Sequence, residues 1–230
     1  LWTGMGNTLS ILRLNLVQKL HNKQNTVMNN NLTNKTIIRS VNSDQHSIIK
    51  DIMTLYIPQG FDVDITYSKG NFYKNGVPQP KLKFDIEPQT EDTIRADAKS
   101  LPLMDSSVNS IMFDPPFAVG YTKSNPSGII GGRFSGFPYI TDLWKWYDEV
   151  LAECYRVLTI GGYMVIKCQD TVSSGRNHFS HVHIMNRVQE LGMKNVDLFI
   201  LTAANRIIGH NHHVQKHARK FHSYFIVVKK

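Results

Sequence analysis

The stretch Val108-Asn109-Ser110-Ile111-Met112-Phe113-Asp114-Pro115-Pro116-Phe117 decides the reading of this chain. The apolar run Val108–Phe113 reads as a buried strand, and it ends in Asp-Pro-Pro-aromatic. Pro115 stops the strand's hydrogen-bond ladder, and Pro116 keeps the loop extended and stiff. One point beside the sheet thus receives the Asp114 carboxylate, the Pro115 carbonyl and the Phe117 ring. Two acceptors and a π-face suit a planar base that carries an exocyclic amine.

Outward from this stretch, strands alternate with helices. Asp44 or Ser43 is placed to cap a helix with apolar positions Ile48, Ile49, Ile52, Met53 and Tyr56, which Pro58 and Gly60 end. Strands are expected over Phe61–Thr66 and Leu82–Ile86, before the central strand at 107–113. Leu143, Tyr147, Val150, Leu151, Cys154 and Leu158 share one face of a helix over Thr141–Leu158, with Thr141 or Asp142 as cap and Gly161-Gly162 as stop. A strand at Tyr163–Lys167, a helix at His181–Leu191 and strands at Val196–Leu201 and Ser223–Val228 complete the pattern. Strands alternating with helices imply a parallel-type sheet covered on both faces.

The 230 residues suffice for one sizeable core. Residues 1–42, rich in Asn and Lys, are expected to be a basic, largely disordered segment, and residues 43–230 the folded domain. The net charge of +8 favours an anionic partner such as nucleic acid. No Asp or Glu precedes Asp44 or follows Asp197, so both ends are purely cationic. No run approaches the ~18 apolar residues of a membrane span. Cys154 and Cys168 read as free buried thiols in a reducing compartment, so the expected location is the cytoplasm. His181 is expected at the start of its helix, on the surface.

Asp114-Pro115-Pro116-Phe117 resembles the Asp/Asn/Ser-Pro-Pro-Tyr/Phe/Trp motif of amino-methyltransferases that use S-adenosyl-L-methionine (AdoMet). Arg95-Ala96-Asp97-Ala98-Lys99-Ser100-Leu101-Pro102 is similar to the family's Gly-Asp-Ala-x-x-Leu-Pro segment, so residues 95–117 match as one block. The closing Lys220-Phe221-His222-Ser223-Tyr224-Phe225 resembles the last strand of the DNA enzymes. The resemblance covers about residues 60–230. It implies a Rossmann-like α/β methyltransferase fold, with a mostly parallel seven-stranded sheet, helices on both faces and an antiparallel last strand. It also implies that Asp85 bonds the cofactor ribose, with Glu87 as fallback, and that Asp97 accepts from the adenine amine. The family's acidic-x-Gly-x-Gly turn is reduced here to Thr66-Tyr67-Ser68-Lys69-Gly70-Asn71. The helix expected to follow it is missing, and Tyr67 and Gly70 stand as the cofactor contacts.

The substrate side lies in two segments. Phe117–Ile140 carries five glycines with Lys123 and Arg133, and suits a lid over the site. Ala203–Phe221 is cationic and acid-free. Its Arg206, Lys216, Arg219 and Lys220 suit phosphate contacts. His210, His212 and His213 have ligand-like spacing, but no Cys or acid stands nearby in sequence, and no metal site is assigned. Methylation at C5 of cytosine would need a nucleophilic Cys after a proline, which neither cysteine provides. The sequence therefore points to methylation of an exocyclic amine of DNA, adenine N6 or cytosine N4. RNA or protein-glutamine methylation, or a nucleic-acid-binding protein of the same fold without catalysis, are the alternatives. The sequence leaves the oligomeric state open.

Overall fold

The computed structural model describes residues 37–117, 119–120, 137–203 and 216–230. Residues 39–230 form one contact unit. Most of the segment 1–42 lies outside the described residues. Val41–Asn42, ahead of the expected domain start at 43, already forms strand β1.

Helix α1, Gln45–Tyr56, begins where Asp44 accepts hydrogen bonds from the backbone N–H groups of His46 and Ser47. The Ser47 hydroxyl is the main influence holding the Asp44 pKa down to about 2. Strand β2 is Val63–Asp64, β3 is Leu82–Asp85, β4 is Ile94–Arg95 and β5 is Val108–Phe113. Helix α2 spans Ile140–Val157 and β6 spans Leu158–Cys168. A small hairpin, β7 (Thr171–Ser173) and β8 (Arg176–His178), precedes helix α3 (Ser180–Glu190). Strands β9 (Lys194–Thr202) and β10 (His222–Lys229) close the chain.

The large sheet has the order β1-β9-β10-β6-β5-β2-β3-β4. Every pairing in it is parallel except those of β10, which runs antiparallel between β6 and β9. The expected parallel sheet with an antiparallel last strand is therefore present, but with eight strands among the described residues rather than seven. The edge strands β1 and β4 have two residues each, too short to show an alternation in sequence.

Alternate residues of the central strands face opposite layers. Ile111 and Phe113 of β5, Met164 and Ile166 of β6, and Ile226 and Val228 of β10 join one core with α2 and α3. Met112, Val165, Phe225 and Val227 are equally buried but lie outside that cluster, as do Ile48, Ile49 and Ile52 of α1. Helices thus cover both faces, as expected.

Gly161-Gly162 does not stop α2. The helix ends at Val157, and β6 runs through the glycine pair. Val108 pairs with Leu158 but Ser110 pairs with Tyr163, so the glycines form a bulge in β6. Gly161 has φ +83°, and a Cβ at Gly162 would press on the Asn109 carbonyl at 3.0 Å. The cap of α2 is Tyr139, without a side-chain hydrogen bond, and Asp142 sits in the first turn, where its charge favours the helix dipole.

Candidate active site

Ligands of open α/β sheets bind at the carboxyl ends of the strands, where strand order reverses. Here that point lies between β2 and β5. From β2 the sheet continues through β3 and β4, and from β5 it continues through β6, β10 and β9. The residues just past β2 and β5 meet directly: the Asp114 backbone N–H donates to Thr66 Oγ1 at 2.8 Å.

The Asp114-Pro115-Pro116 turn is held from its other side by α2. The hydroxyl of fully buried Tyr147 donates to the Pro116 carbonyl at 2.8 Å. The Tyr147 ring meets Phe113 edge-on, with centroids 6.4 Å apart. Within this clamp, Asp114 Oδ1 is buried and has no hydrogen-bond partner. Burial raises the Asp114 pKa, and the nearby Lys167 ammonium opposes that rise. An unpartnered buried carboxylate oxygen is costly, and such atoms mark sites where a ligand completes the bonding.

A pocket of about 140 Å³ opens at this point, lined by Asp64, Thr66, Tyr67, Ser68, Asn71, Phe72, Tyr73 and Asp114. Whole small-molecule sites usually span roughly 300–1,000 Å³, so this volume fits one end of a ligand. Asp64 is not among the residues the sequence singles out. It accepts from the Tyr73 hydroxyl at 2.7 Å and from the Thr66 N–H at 2.8 Å. Burial pushes its pKa up to about 7, and the charges of Asp114 and Asp85 add to the rise. Its one signal in the sequence is its place as the acid ending the first strand.

Of the expected cofactor residues, Tyr67 lines the pocket. Its hydroxyl donates to Gln79 Oε1 at 2.6 Å, and its ring stacks on Tyr73 at 5.5 Å. Gly70 has φ +64°, and a Cβ there would fall on the Tyr67 hydroxyl. Gly70 therefore makes room for a tyrosine of its own loop. Asp85 lies one bond behind the pocket: its Oδ2 accepts from the Ser68 N–H at 2.7 Å, and its Oδ1 from the Glu87 N–H at 2.8 Å. Ser68 itself has φ +52°, so Asp85 steadies a left-handed residue of the turn. Asp97, just past the edge strand β4, is not among the residues that line this pocket, and it accepts from the Lys99 N–H at 2.9 Å. Among the described residues no helix follows β2, as expected; tight turns carry the chain to β3.

Two further residues at the carboxyl end of β6 carry no signal in the sequence. Lys167, the penultimate residue of β6, lies 3.8 Å from Asp114 Oδ1. Asp170, just past β6, is buried and holds His181 Nδ1 at 2.7 Å, while His181 stacks on Tyr224. His181 stands at the start of α3, as expected, but it is paired with a buried acid rather than free on the surface.

On the substrate side, Lys123, Arg133 and Arg206 lie outside the described residues. The neck of the 117–140 loop is described: the Gly120 N–H donates to the Phe137 carbonyl at 2.9 Å, bringing the loop's two ends together. Lys216, Arg219 and Lys220 precede β10. Because β10 is antiparallel, its start lies at the carboxyl edge, with Tyr224 opposite Cys168. The Lys220 ammonium sits 6.0 Å from the centre of the half-exposed Phe179 ring. No helix among the described residues is long and apolar enough to cross a membrane.

Among solved structures, the chain is similar to a candidate DNA modification methylase from Thermus thermophilus, complexed with AdoMet. The two share 22% identity over 58% of this chain and 53% of that one, at a TM-score of 0.41. The chain thus spans about half the length of that protein. A SAM-dependent methyltransferase from Thermotoga maritima shares 16% identity over 80% of this chain and 89% of that one, at a TM-score of 0.48. The cyclase SpnF shares 12% identity over 80% and 81%, at a TM-score of 0.50. Identities this low bear on the fold alone. No curated protein matches the sequence. The model of a DNA methylase family matches residues 108–230, more than half of the chain, from the first residue of β5 through the Asp-Pro-Pro-Phe turn to the end of β10. The chain belongs to this DNA methylase family, a family of AdoMet-dependent methyltransferases.

Proposed function

We propose that this protein transfers the methyl group of AdoMet to an exocyclic amine of a DNA base, adenine N6 or cytosine N4. The observation that carries the reading is Asp114 Oδ1, a buried carboxylate oxygen without a hydrogen-bond partner, in a clamped turn at the strand-order switch.

The donor set suits the cofactor. AdoMet is cationic at its sulfonium and its amino group, and Asp64, Asp85 and Asp114 place three acidic side chains around one turn. Tyr67, Ser68, Asn71 and Phe72 would hold its methionine end, with Asp64 and Asp85 behind them. When bound, AdoMet supplies an electrophilic methyl carbon.

The chain's own residues act on the amine. A base amine is a weak nucleophile because its lone pair is delocalised into the ring. Asp114 Oδ1 and the Pro115 carbonyl accept the two amine hydrogens, which localises the lone pair and stabilises positive charge developing on nitrogen. The clamp by Thr66 and Tyr147 fixes this geometry in advance, which is where such catalysis gains most. Phe117 stacks on the base, worth about 1–3 kcal/mol. Lys216, Arg219 and Lys220 take phosphates, and a base in duplex DNA is flipped out first. We place the protein in the cytoplasm on its two unpaired, buried cysteines.

A second reading draws on the tight loop 67–73, whose Tyr67 and Tyr73 fill space beside the pocket. In it, the fold binds nucleic acid and no longer takes cofactor. Calorimetric titration separates the two: AdoMet binding supports the enzyme, and none at millimolar cofactor supports the alternative. Labelled-methyl transfer onto DNA, RNA and protein, followed by nucleoside mass analysis, then tests the substrate. Label in N6-methyladenine or N4-methylcytosine is the expected result, and label confined to RNA or protein would overturn it.

A further inference from the structure

We propose that Lys167 is a positioning residue for this reaction: its ammonium, fixed 3.8 Å from Asp114 Oδ1 against two aromatic rings, keeps the Asp114 carboxylate charged while leaving that oxygen open to the amine. The inference rests on the reading of Asp114 as the amine acceptor.

Lys167 sits where a strand normally places an apolar side chain. Phe113 pairs with Ile166 across β5 and β6, so Asp114 and Lys167 lie side by side at the strand ends. Lys167 also pairs with Phe225 of β10. Its side chain is only 13% exposed. The ammonium lies 4.7 Å from the Phe72 ring centre and 5.7 Å from that of Phe225. It donates to Gln45 Oε1 of α1 at 3.2 Å. Two π-faces and one amide oxygen hold a cation without neutralising it.

The separation from Asp114 matters as much as the charge. An N–H···O hydrogen bond spans roughly 2.7–3.2 Å. At 3.8 Å the ammonium acts through its field, and Oδ1 keeps its lone pairs. Among the described residues, the other groups facing Asp114 give it no positive charge. Asp64 of β2 is a second acid, Tyr73 of the 67–73 loop and Tyr147 of α2 are neutral phenols, and Thr66 contributes a hydroxyl. Burial favours the neutral acid, and Lys167 is the group that works against it. A neutral Asp114 would present a hydroxyl donor where the amine needs an acceptor.

The test is the pH dependence of methyl transfer in the full chain, with Asp114 followed by 13C NMR of selectively labelled aspartate carboxyls and assigned with Asp114→Asn. In Lys167→Met the acid limb of kcat/KM and the Asp114 midpoint should both rise, by roughly 1–3 pH units. A one-unit shift lowers the rate about fivefold at the wild-type midpoint, and activity recovers at higher pH. Lys167→Arg should restore both values. If Lys167→Met does not fold, Lys167→Gln carries the same expectation. An unmoved limb and midpoint would overturn the proposal, as would a loss of rate that is equal at every pH. If the wild-type protein transfers no methyl group, the functional reading fails and the role in transfer fails with it. The NMR midpoint then still reports whether Lys167 sets the charge of Asp114.

Discussion

The backbone N–H of Asp114 donates to Thr66 Oγ1, which joins the chain just past β5 to the chain just past β2 at the point where strand order reverses. One side chain therefore couples the two halves of the site: Thr66 lines the pocket, and Asp114 carries the buried oxygen without a hydrogen-bond partner. Thr66→Val keeps the shape and removes the acceptor. The orphaned Asp114 N–H should lower stability by about 1–3 kcal/mol. Displacement of the turn should lower kcat about tenfold or more, and loss of a hydroxyl that lines the pocket should weaken AdoMet binding. Urea unfolding, calorimetry and turnover read the three quantities. A variant with normal kcat would show that the turn holds its place without Thr66.

Asp114 itself should divide binding from chemistry. Asp114→Ala is expected to abolish transfer while the protein still binds AdoMet, because the pocket's other lining residues remain. Asp114→Asn keeps an acceptor oxygen but loses the charge. It should retain a trace of activity, roughly 10²–10³-fold below wild type, the range seen when a preorganised electrostatic partner is lost. Comparable turnover in all three proteins would remove Asp114 from the mechanism.

Much of this site is legible in the sequence because its signals are local. A strand that stops at Pro-Pro, an Asp before a helix and a period-3.6 apolar face each write their geometry into a few consecutive residues. Asp114, the Asp44 cap and the buried face of α2 follow from such rules. The misses are of another kind. Lys167 gains its meaning from Phe72, Phe225 and Gln45, which come from three distant segments. Asp64 matters through Tyr73, and Asp170 through His181, contacts that only the fold creates. Gly161-Gly162 misleads because a glycine pair after a helix commonly ends it. Here the strand begins before the pair and bulges at it.

Gly70 and Tyr67 form a matched pair. Gly70→Ala places a methyl group on the Tyr67 hydroxyl and holds a non-glycine residue at φ +64°. The variant should lose about 1–3 kcal/mol of stability and weaken AdoMet binding, because Tyr67 lines the pocket. Adding Tyr67→Ala should recover the part of that loss due to the clash and leave the backbone strain. Additive unfolding energies across the double-mutant cycle would show that the two residues do not interact.

Asp64 should make stability depend on pH in a fixed direction. Its carboxyl titrates near the ordinary ~3.9 in the unfolded chain and about 7 in the folded one. Between these values the folded state binds the proton and the unfolded state does not, so stability falls as pH rises through the window from about 4 to about 7. Below that window both states are protonated and the burial of Asp64 carries no charge penalty. Above it the folded protein must hold a buried carboxylate beside Asp114 and Asp85, at a cost of a few kcal/mol. Asp64→Asn still accepts from Tyr73 but cannot ionise. Urea midpoints measured from pH 4 to pH 8 should show the variant close to wild type at the acid end and increasingly more stable toward the basic end. A difference that stays constant with pH would mean that Asp64 is already charged in the folded protein throughout, and that Tyr73 and Thr66 suffice to hold that charge in the core.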